Sequence, residues 1–184
     1  MDMRTSHLQK QPLILVAFVT LFIFQSHAYA SRDDSQQLTQ LLSDANAEAL
    51  ALAADANETQ ALILNDENWV THALMLAKVK GHVDNMAIIA EKLSKAEKSG
   101  SELQEQAVER VLPLVKELSA NTTAAINYLN QNKARPLSET YAQYLQKNAE
   151  SANQLSSMIS ALFEYEKSMT DIEKLKRKLT ASEN

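Results

Sequence analysis

Residues that end or bend helices are scarce in this chain, and that scarcity restricts the possible folds more than any other feature. The 184 residues include two glycines and three prolines. Alanine, leucine, glutamine, glutamate and lysine, which favour helices, are abundant instead. No segment alternates apolar and polar residues convincingly, as a half-buried strand does. The sequence therefore predicts an all-α protein made of long helices.

The N-terminus has the three-part pattern of a secretory signal peptide. Two basic residues precede an apolar run over residues 13–24, and Ala28 and Ala30 occupy the small-residue positions before a cleavage site. The apolar run is too short to cross about 30 Å of hydrocarbon at about 1.5 Å per residue, which argues against a membrane anchor. We therefore expect residues 1–30 to be cleaved, and the protein to be periplasmic or secreted in the bacterial envelope.

The remaining residues, 31–184, are expected to form one helical domain, because this length buries a core without further stabilisation. Cleavage would remove two bases and one acid, which leaves 16 basic and 22 acidic residues and a net charge of −6. A negative protein is a poor binder of nucleic acid. The chain has no cysteine, so disulfides, a lipoprotein anchor and covalently attached haem are excluded.

Apolar residues recur every three or four positions in four segments, which predicts four amphipathic helices. The polar breaks between them fall at residues 65–68, 99–102 and 133–136, and Ser138 is placed to cap the fourth helix. Short connections favour an up-down-up-down four-helix bundle. The fourth helix is expected to be the longest, at about 40 residues against about 30 for the others, which leaves it about 15 Å longer.

A longer fourth helix leaves apolar turns beyond the end of the bundle. These turns carry Met169, Ile172, Leu175 and Leu179. Either the start of the first helix covers them, or another chain does. The sequence therefore predicts an unknown protein partner or self-association through these four residues as one of two open alternatives.

An antiparallel bundle brings the start of helix 2, the end of helix 3 and the start of helix 4 to one end. Rings with polar tips beside an imidazole could line an apolar ligand pocket with a few orienting groups. The same side chains could instead bond to one another and fill the end as a packed stopper. The residues concerned in this candidate ligand site are Trp69, His72, Tyr128, Tyr141 and Tyr144.

No metal or cofactor site is predicted. His72 and His82 lie ten positions apart, so they do not share the three- or four-residue spacing of a metal-binding pair on a helix. We expect His82 on an exposed polar face with Lys80 and Asp84, the last two forming an ion pair. The excess of acidic residues along the first helix is interpreted as a solvated face.

No catalytic motif can be assembled from these residues. The sequence offers no Ser-His-Asp or Cys-His arrangement and no glycine-rich phosphate loop. It therefore predicts a protein that is not an enzyme and acts through protein–protein contacts. The alternative is a small-molecule carrier or sensor that binds at the Trp69, His72 and Tyr141 end of the bundle.

Three segments together resemble a group of secreted, all-helical bacterial proteins to which no activity is assigned. They are WVTHALMLAKVKGHVDNM from Trp69, VLPLVKEL from Val111 and NTTAAINYLN from Asn121. The likeness extends roughly from Trp69 to Leu179. It implies a helical bundle outside the cytoplasm and assigns no role to any residue.

Overall fold

The computed structural model describes residues 31–65, 68–96, 102–133 and 137–182. The prediction of an all-α four-helix bundle is confirmed, and no strand occurs within these ranges. The predicted signal peptide lies outside the described residues. The helices are α1 (Ser31–Ala61), α2 (Trp69–Ala96), α3 (Glu102–Gln131) and α4 (Glu139–Ser182), and a short 3-10 helix, Leu62–Asn65, follows α1.

Each helix packs against two neighbours, so the bundle has a square cross-section. The neighbouring pairs are α1 with α2, α2 with α3, α3 with α4, and α4 with α1. Helices α2 and α4 therefore lie across the diagonal. The side-chain amides of Asn57 and Asn153 each donate to the other, at 3.1 and 3.0 Å, and Ser160 donates to Asn46 at 2.7 Å. These contacts run in opposite directions along α1 and α4, as the up-down-up-down arrangement requires.

Ser138, the predicted cap, and Asn68, the last residue of the first predicted break, set the starts of α4 and α2. The Asn68 side-chain oxygen accepts hydrogen bonds from the backbone amides of Val70 and Thr71, at 3.0 and 3.2 Å. The Ser138 hydroxyl oxygen accepts one from the Tyr141 amide at 3.1 Å. Each cap satisfies amides that have no partner within the first turn of a helix.

The core divides into two hydrophobic clusters. The larger one runs from Leu38 to Ala56 on α1 and continues through the other three helices. The smaller one includes Leu76 and Tyr141 and lies where α2 and α4 begin. The buried residues between the two clusters are polar; Thr59 falls on the predicted three- and four-residue spacing of the first helix, and the sequence did not predict the other two. We call them the polar layer: Thr59 on α1, Thr122 on α3 and Asn148 on α4.

Helix α4 has 44 residues, whereas the other three have 28 to 31. Its last buried residue is Leu162, and residues 171–182 are all exposed. At about 1.5 Å per residue those last twelve residues extend about 18 Å. We call residues 164–182 the α4 tip. Within the described helices, no segment combines the length and the hydrophobicity that crossing a bilayer requires.

Candidate functional site

The structure brings the five predicted residues of the ligand site together at one end of the bundle. The ring of Tyr141 meets His72 edge-to-face, with centroids 5.3 Å apart, and stacks on Tyr128 at 5.8 Å. Tyr128 in turn contacts Tyr144 at 6.4 Å. Trp69 packs against the same cluster. The predicted assembly is therefore confirmed as an arrangement of side chains, which we call the aromatic end.

Tyr141 and His72 form the buried centre of the aromatic end. Both side chains are inaccessible to solvent, and the Tyr141 hydroxyl oxygen lies 3.1 Å from Nδ1 of His72. Burial raises the pKa of Tyr141 above its ordinary value, because the phenolate would lose its hydration. The phenol is therefore neutral at physiological pH and able to take part in a hydrogen bond with the imidazole.

The rim of the aromatic end is partly open. Trp69, Tyr128 and Tyr144 are half-buried, and the Lys133 ammonium lies 4.7 Å from the centre of the Trp69 ring system. A cation at that distance is attracted by the face of the ring. The rings fill the interior by contacting one another, which favours the stopper interpretation. The ligand-binding role of these residues stays a prediction.

The prediction that His82 lies on an exposed polar face is wrong. Its imidazole is inserted between α1 and α2, and the side chain is 25% exposed. Nδ1 lies 2.6 Å from a carboxylate oxygen of Glu48, and Nε2 lies 3.3 Å from one of Asp55. The side chain of Asn85 donates to the same Glu48 oxygen at 3.0 Å. These four side chains join α1 to α2, and we call them the His82 staple.

The physical reason for the error is the rotation of α1. Glu48 and Asp55 are seven residues apart, so they lie on one side of the helix, and that side faces α2 rather than solvent. The acids of α1 outnumber its one base, Arg32, and this excess was the signal that could have indicated a partner on α2. The predicted ion pair between Lys80 and Asp84 does form.

The His82 staple is not a metal site. Among the residues that the structure describes, no group of three or more His, Asp or Glu side chains is placed to hold a metal ion. The two ring nitrogens of His82 face different carboxylates, so the three side chains do not converge on one position where a metal ion could bind. The arrangement can join two helices by hydrogen bonds.

An apolar crevice lies at the opposite end of the bundle. Its volume is about 10 Å³, and Leu38, Leu93, Val108 and Leu162 are among the residues that line it. This is close to the smallest space that holds one water molecule, and small-molecule pockets are typically above about 300 Å³. The crevice is therefore too small to be a ligand site.

The α4 tip is the second candidate site, because it presents a row of exposed apolar side chains. Their exposed fractions lie between 39% and 66%. The described side chains of the bundle leave these five exposed, and the half-buried positions in this part of α4 are Glu166 and Thr170 instead. Contact with a protein partner or a second copy through these residues stays a prediction. We call the row the apolar stripe: Tyr165, Met169, Ile172, Leu175 and Leu179.

The fold and these two sites define the class of the molecule, an all-α four-helix bundle whose fourth helix extends beyond the others. No protein-family model, no curated protein and no solved structure matches this chain. The function therefore has to follow from the residues of the chain itself.

Proposed function

We propose that this protein is a non-enzymatic, exported helical bundle that works by contacting another protein chain through the α4 tip. The observation that carries the proposal is the apolar stripe on a part of α4 whose last twelve residues are all exposed. Apolar residues scattered singly over a surface are ordinary, whereas a contiguous exposed row marks a surface of interaction.

The energetics of a protruding helix support the same function. A helix of about twelve residues is only marginally stable in water without tertiary contacts. Ion pairs within the tip, Asp171 with Lys174 and Glu173 with Arg177, contribute only a few tenths of a kcal/mol each. Fully burying one large apolar side chain contributes about 1.5 to 3 kcal/mol. A chain that covers the stripe would therefore stabilise the tip more than its own charges do.

The charged and titratable groups of the described core support a structural role. His72 and Tyr141 are hydrogen-bonded to each other, and the His82 imidazole contacts two carboxylates. These groups are thus engaged in holding helices together. Together with the absence of a catalytic motif in the sequence, this supports a protein that is not an enzyme.

Export is part of the proposal, and it rests on the signal-peptide pattern of residues 1–30. Mass spectrometry of the protein from the periplasm or medium of a bacterial host tests it. We expect a chain that begins at Ser31, and an unprocessed chain retained in the cytoplasm would contradict export.

Site-specific photo-crosslinking tests the contact function. A photoreactive residue at Leu175 is compared with one at Lys147, which is exposed on α4 within the bundle. Irradiation in the living host should give a discrete adduct from Leu175 but not from Lys147, and mass spectrometry of the adduct identifies the second chain. Equal labelling from both positions, or no adduct from Leu175, would contradict the proposal.

A carrier or sensor function at the aromatic end is the second candidate, and the half-buried position of Trp69 at the rim favours it. Trp69 is the only tryptophan of the chain, so its fluorescence reports on this end alone. A metabolite that binds there should shift the emission, and Tyr128→Ala should reduce the shift. Emission that no metabolite of a broad panel changes would rule out this candidate.

A further inference from the structure

We propose that the α4 tip pairs with the α4 tip of a second copy of this chain, with the two helices antiparallel and a two-fold axis beside Ile172. This inference rests on the proposed function, because it names the chain that the apolar stripe contacts. Two independent features of the tip carry it: the spacing of the apolar residues and the order of the charges.

The spacing of the apolar stripe is symmetric about its central residue. Met169 and Leu175 lie three residues on either side of Ile172, and Tyr165 and Leu179 lie seven residues on either side. The steps of four, three, three and four residues cover fourteen residues, and their average of 3.5 equals the average step of a coiled-coil seam, although a regular heptad alternates three and four. A two-fold axis beside Ile172 sets Met169 of one copy opposite Leu175 of the other.

Such symmetry is what an isologous interface requires, because the same surface must complement itself. The outer positions obey it as well, since Tyr165 of one copy faces Leu179 of the other. All five side chains are exposed in the single chain, so each is accessible to a second copy.

The charges of the tip favour the antiparallel direction. The half before Ile172 is mainly acidic and the half after it is mainly basic, with Lys167 and Glu173 as the exceptions. Antiparallel pairing sets the acidic half against the basic half, whereas parallel pairing would set like charges together. The acids are Glu164, Glu166, Asp171 and Glu173, and the bases of the second half are Lys174, Lys176, Arg177 and Lys178.

One specific ion pair follows from this arrangement. Glu164 and Lys178 are fourteen residues apart, so they lie on the same side of the helix, about 40° apart in helical projection. In an antiparallel pair, residues on one side of the apolar stripe meet residues on the same side of the stripe in the other copy. This brings Glu164 of one copy close to Lys178 of the other. Within its own chain the Glu164 carboxylate lies 4.0 Å from the Lys167 ammonium, which is a loose contact.

The acids nearest the axis do not oppose the pairing. Asp171 is paired with Lys174 at 3.3 Å, and Glu173 with Arg177 at 3.5 Å, within the same helix. Their charges are therefore partly offset before a second copy approaches. The two bundles would also lie at opposite ends of the paired helices, so that they do not compete for the same space.

One helix from each copy gives a small interface, of the size that characterises weak and transient complexes. Sedimentation of the purified protein from micromolar to millimolar concentration tests whether the tips associate. The mass should rise from one copy to two, and Ile172→Asp should remove the rise, because it places two carboxylates at the axis. Leu50→Asp, at an exposed position on α1, is the matched control and should leave the rise unchanged.

Disulfide trapping tests whether the two tips pair in the antiparallel direction. Because the native chain has no cysteine, only the introduced cysteines can form disulfides. When Tyr165→Cys and Leu179→Cys proteins are mixed under mild oxidation, the mixed disulfide should dominate. Preference for the two disulfides between identical proteins would show parallel pairing and overturn the proposal. Glu164→Lys should weaken association roughly two- to fivefold, and adding Lys178→Glu in the same chain should restore it.

The two proposals fail in different ways. If the wild-type protein sediments as one copy at every concentration and Leu175 crosslinks to a different polypeptide, self-pairing is wrong and the contact function stands. If the protein stays monomeric and Leu175 gives no adduct, both are wrong. A concentration-dependent dimer that Ile172→Asp does not affect would place the interface elsewhere and would overturn the pairing proposed for the α4 tip.

Discussion

The hydroxyl oxygen of Tyr141 lies 3.1 Å from Nδ1 of His72, and both side chains are wholly buried. The contact joins α4 to α2 across the diagonal of the bundle. It therefore fixes how these two helices are aligned at the aromatic end.

Removing this hydroxyl should destabilise the protein although the ring remains. Tyr141→Phe leaves the imidazole without its phenol partner, which costs about 1 to 2 kcal/mol. Tyr141→Ala also removes the stacked ring and should cost about 3 to 5 kcal/mol. Urea unfolding measures both values. Tyr165→Phe, on the exposed tip, is the control and should change the free energy of unfolding by less than about 0.5 kcal/mol. A Tyr141→Phe protein as stable as the wild type would contradict the role of the bond.

Stability should also fall at alkaline pH because of the same residue. The pKa of Tyr141 is raised in the folded protein by burial, whereas an unfolded tyrosine has a pKa of about 10. Below about pH 10 both states carry a neutral phenol, so the stability is unaffected. Above it the unfolded chain loses the proton first, and the free energy of unfolding decreases by up to about 1.4 kcal/mol per pH unit.

Urea unfolding as a function of pH measures this effect, and Tyr141→Phe is the control. The Tyr141→Phe protein should be destabilised less at alkaline pH than the wild type, because it has no phenol at this position to ionise. In the wild-type protein, near-ultraviolet absorbance should show one tyrosine that ionises only as the protein unfolds. Ionisation of every tyrosine in the folded state would refute the burial of this phenol.

Loss of the His82 staple should lower the free energy of unfolding more than loss of a surface ion pair on the same helix. His82→Ala removes hydrogen bonds to Glu48 and Asp55 between two helices and should cost about 1 to 2 kcal/mol, since the group is only partly exposed. Lys80→Ala removes a pair on the surface of α2 and should cost less than about 0.5 kcal/mol. Thermal or urea unfolding compares them, and equal losses would mean that the staple contributes nothing.

The polar layer predicts that an apolar substitution stabilises the protein. Neither side-chain polar atom of Asn148 has a hydrogen-bond partner among the described residues, although the residue is buried. Asn148→Leu keeps the number and branching of the side-chain heavy atoms and removes the cost of burying an amide, so we expect a gain of about 1 to 2 kcal/mol. Asn153→Ala, which removes an exposed amide pair, should lose less than about 1 kcal/mol. Destabilisation by Asn148→Leu would contradict this account of the layer.

The helices and the aromatic end could be predicted from the sequence because local signals determine them. Leu38 and Ala56 on α1, like Leu76 and Leu93 on α2, follow the helical period and are buried as expected. Caps such as Asn68 act within one turn. Once short connections imply an antiparallel bundle, the register of the helix ends brings the five residues of the aromatic end together without further information.

The His82 staple, and Thr122 and Asn148 of the polar layer, could not be predicted, because they depend on how each helix is rotated in the bundle. The period of α1 does not show that the side carrying Glu48 faces α2. Thr122 and Asn148 fall at core positions, but the spacing of apolar residues does not indicate which polar residues are buried. The overhang of the fourth helix was predicted from its length, whereas its exposure to solvent depends on where the other helices end in space.

Amide hydrogen exchange of residues 171–182 tests most directly the central claim, that the α4 tip is a pairing surface. The purified protein is measured at low and at high concentration, with the Ile172→Asp variant beside it. We expect protection of these amides to increase with concentration in the wild-type protein and to stay low in the variant. Exchange at one unchanging rate at all concentrations, in both proteins, would contradict the claim.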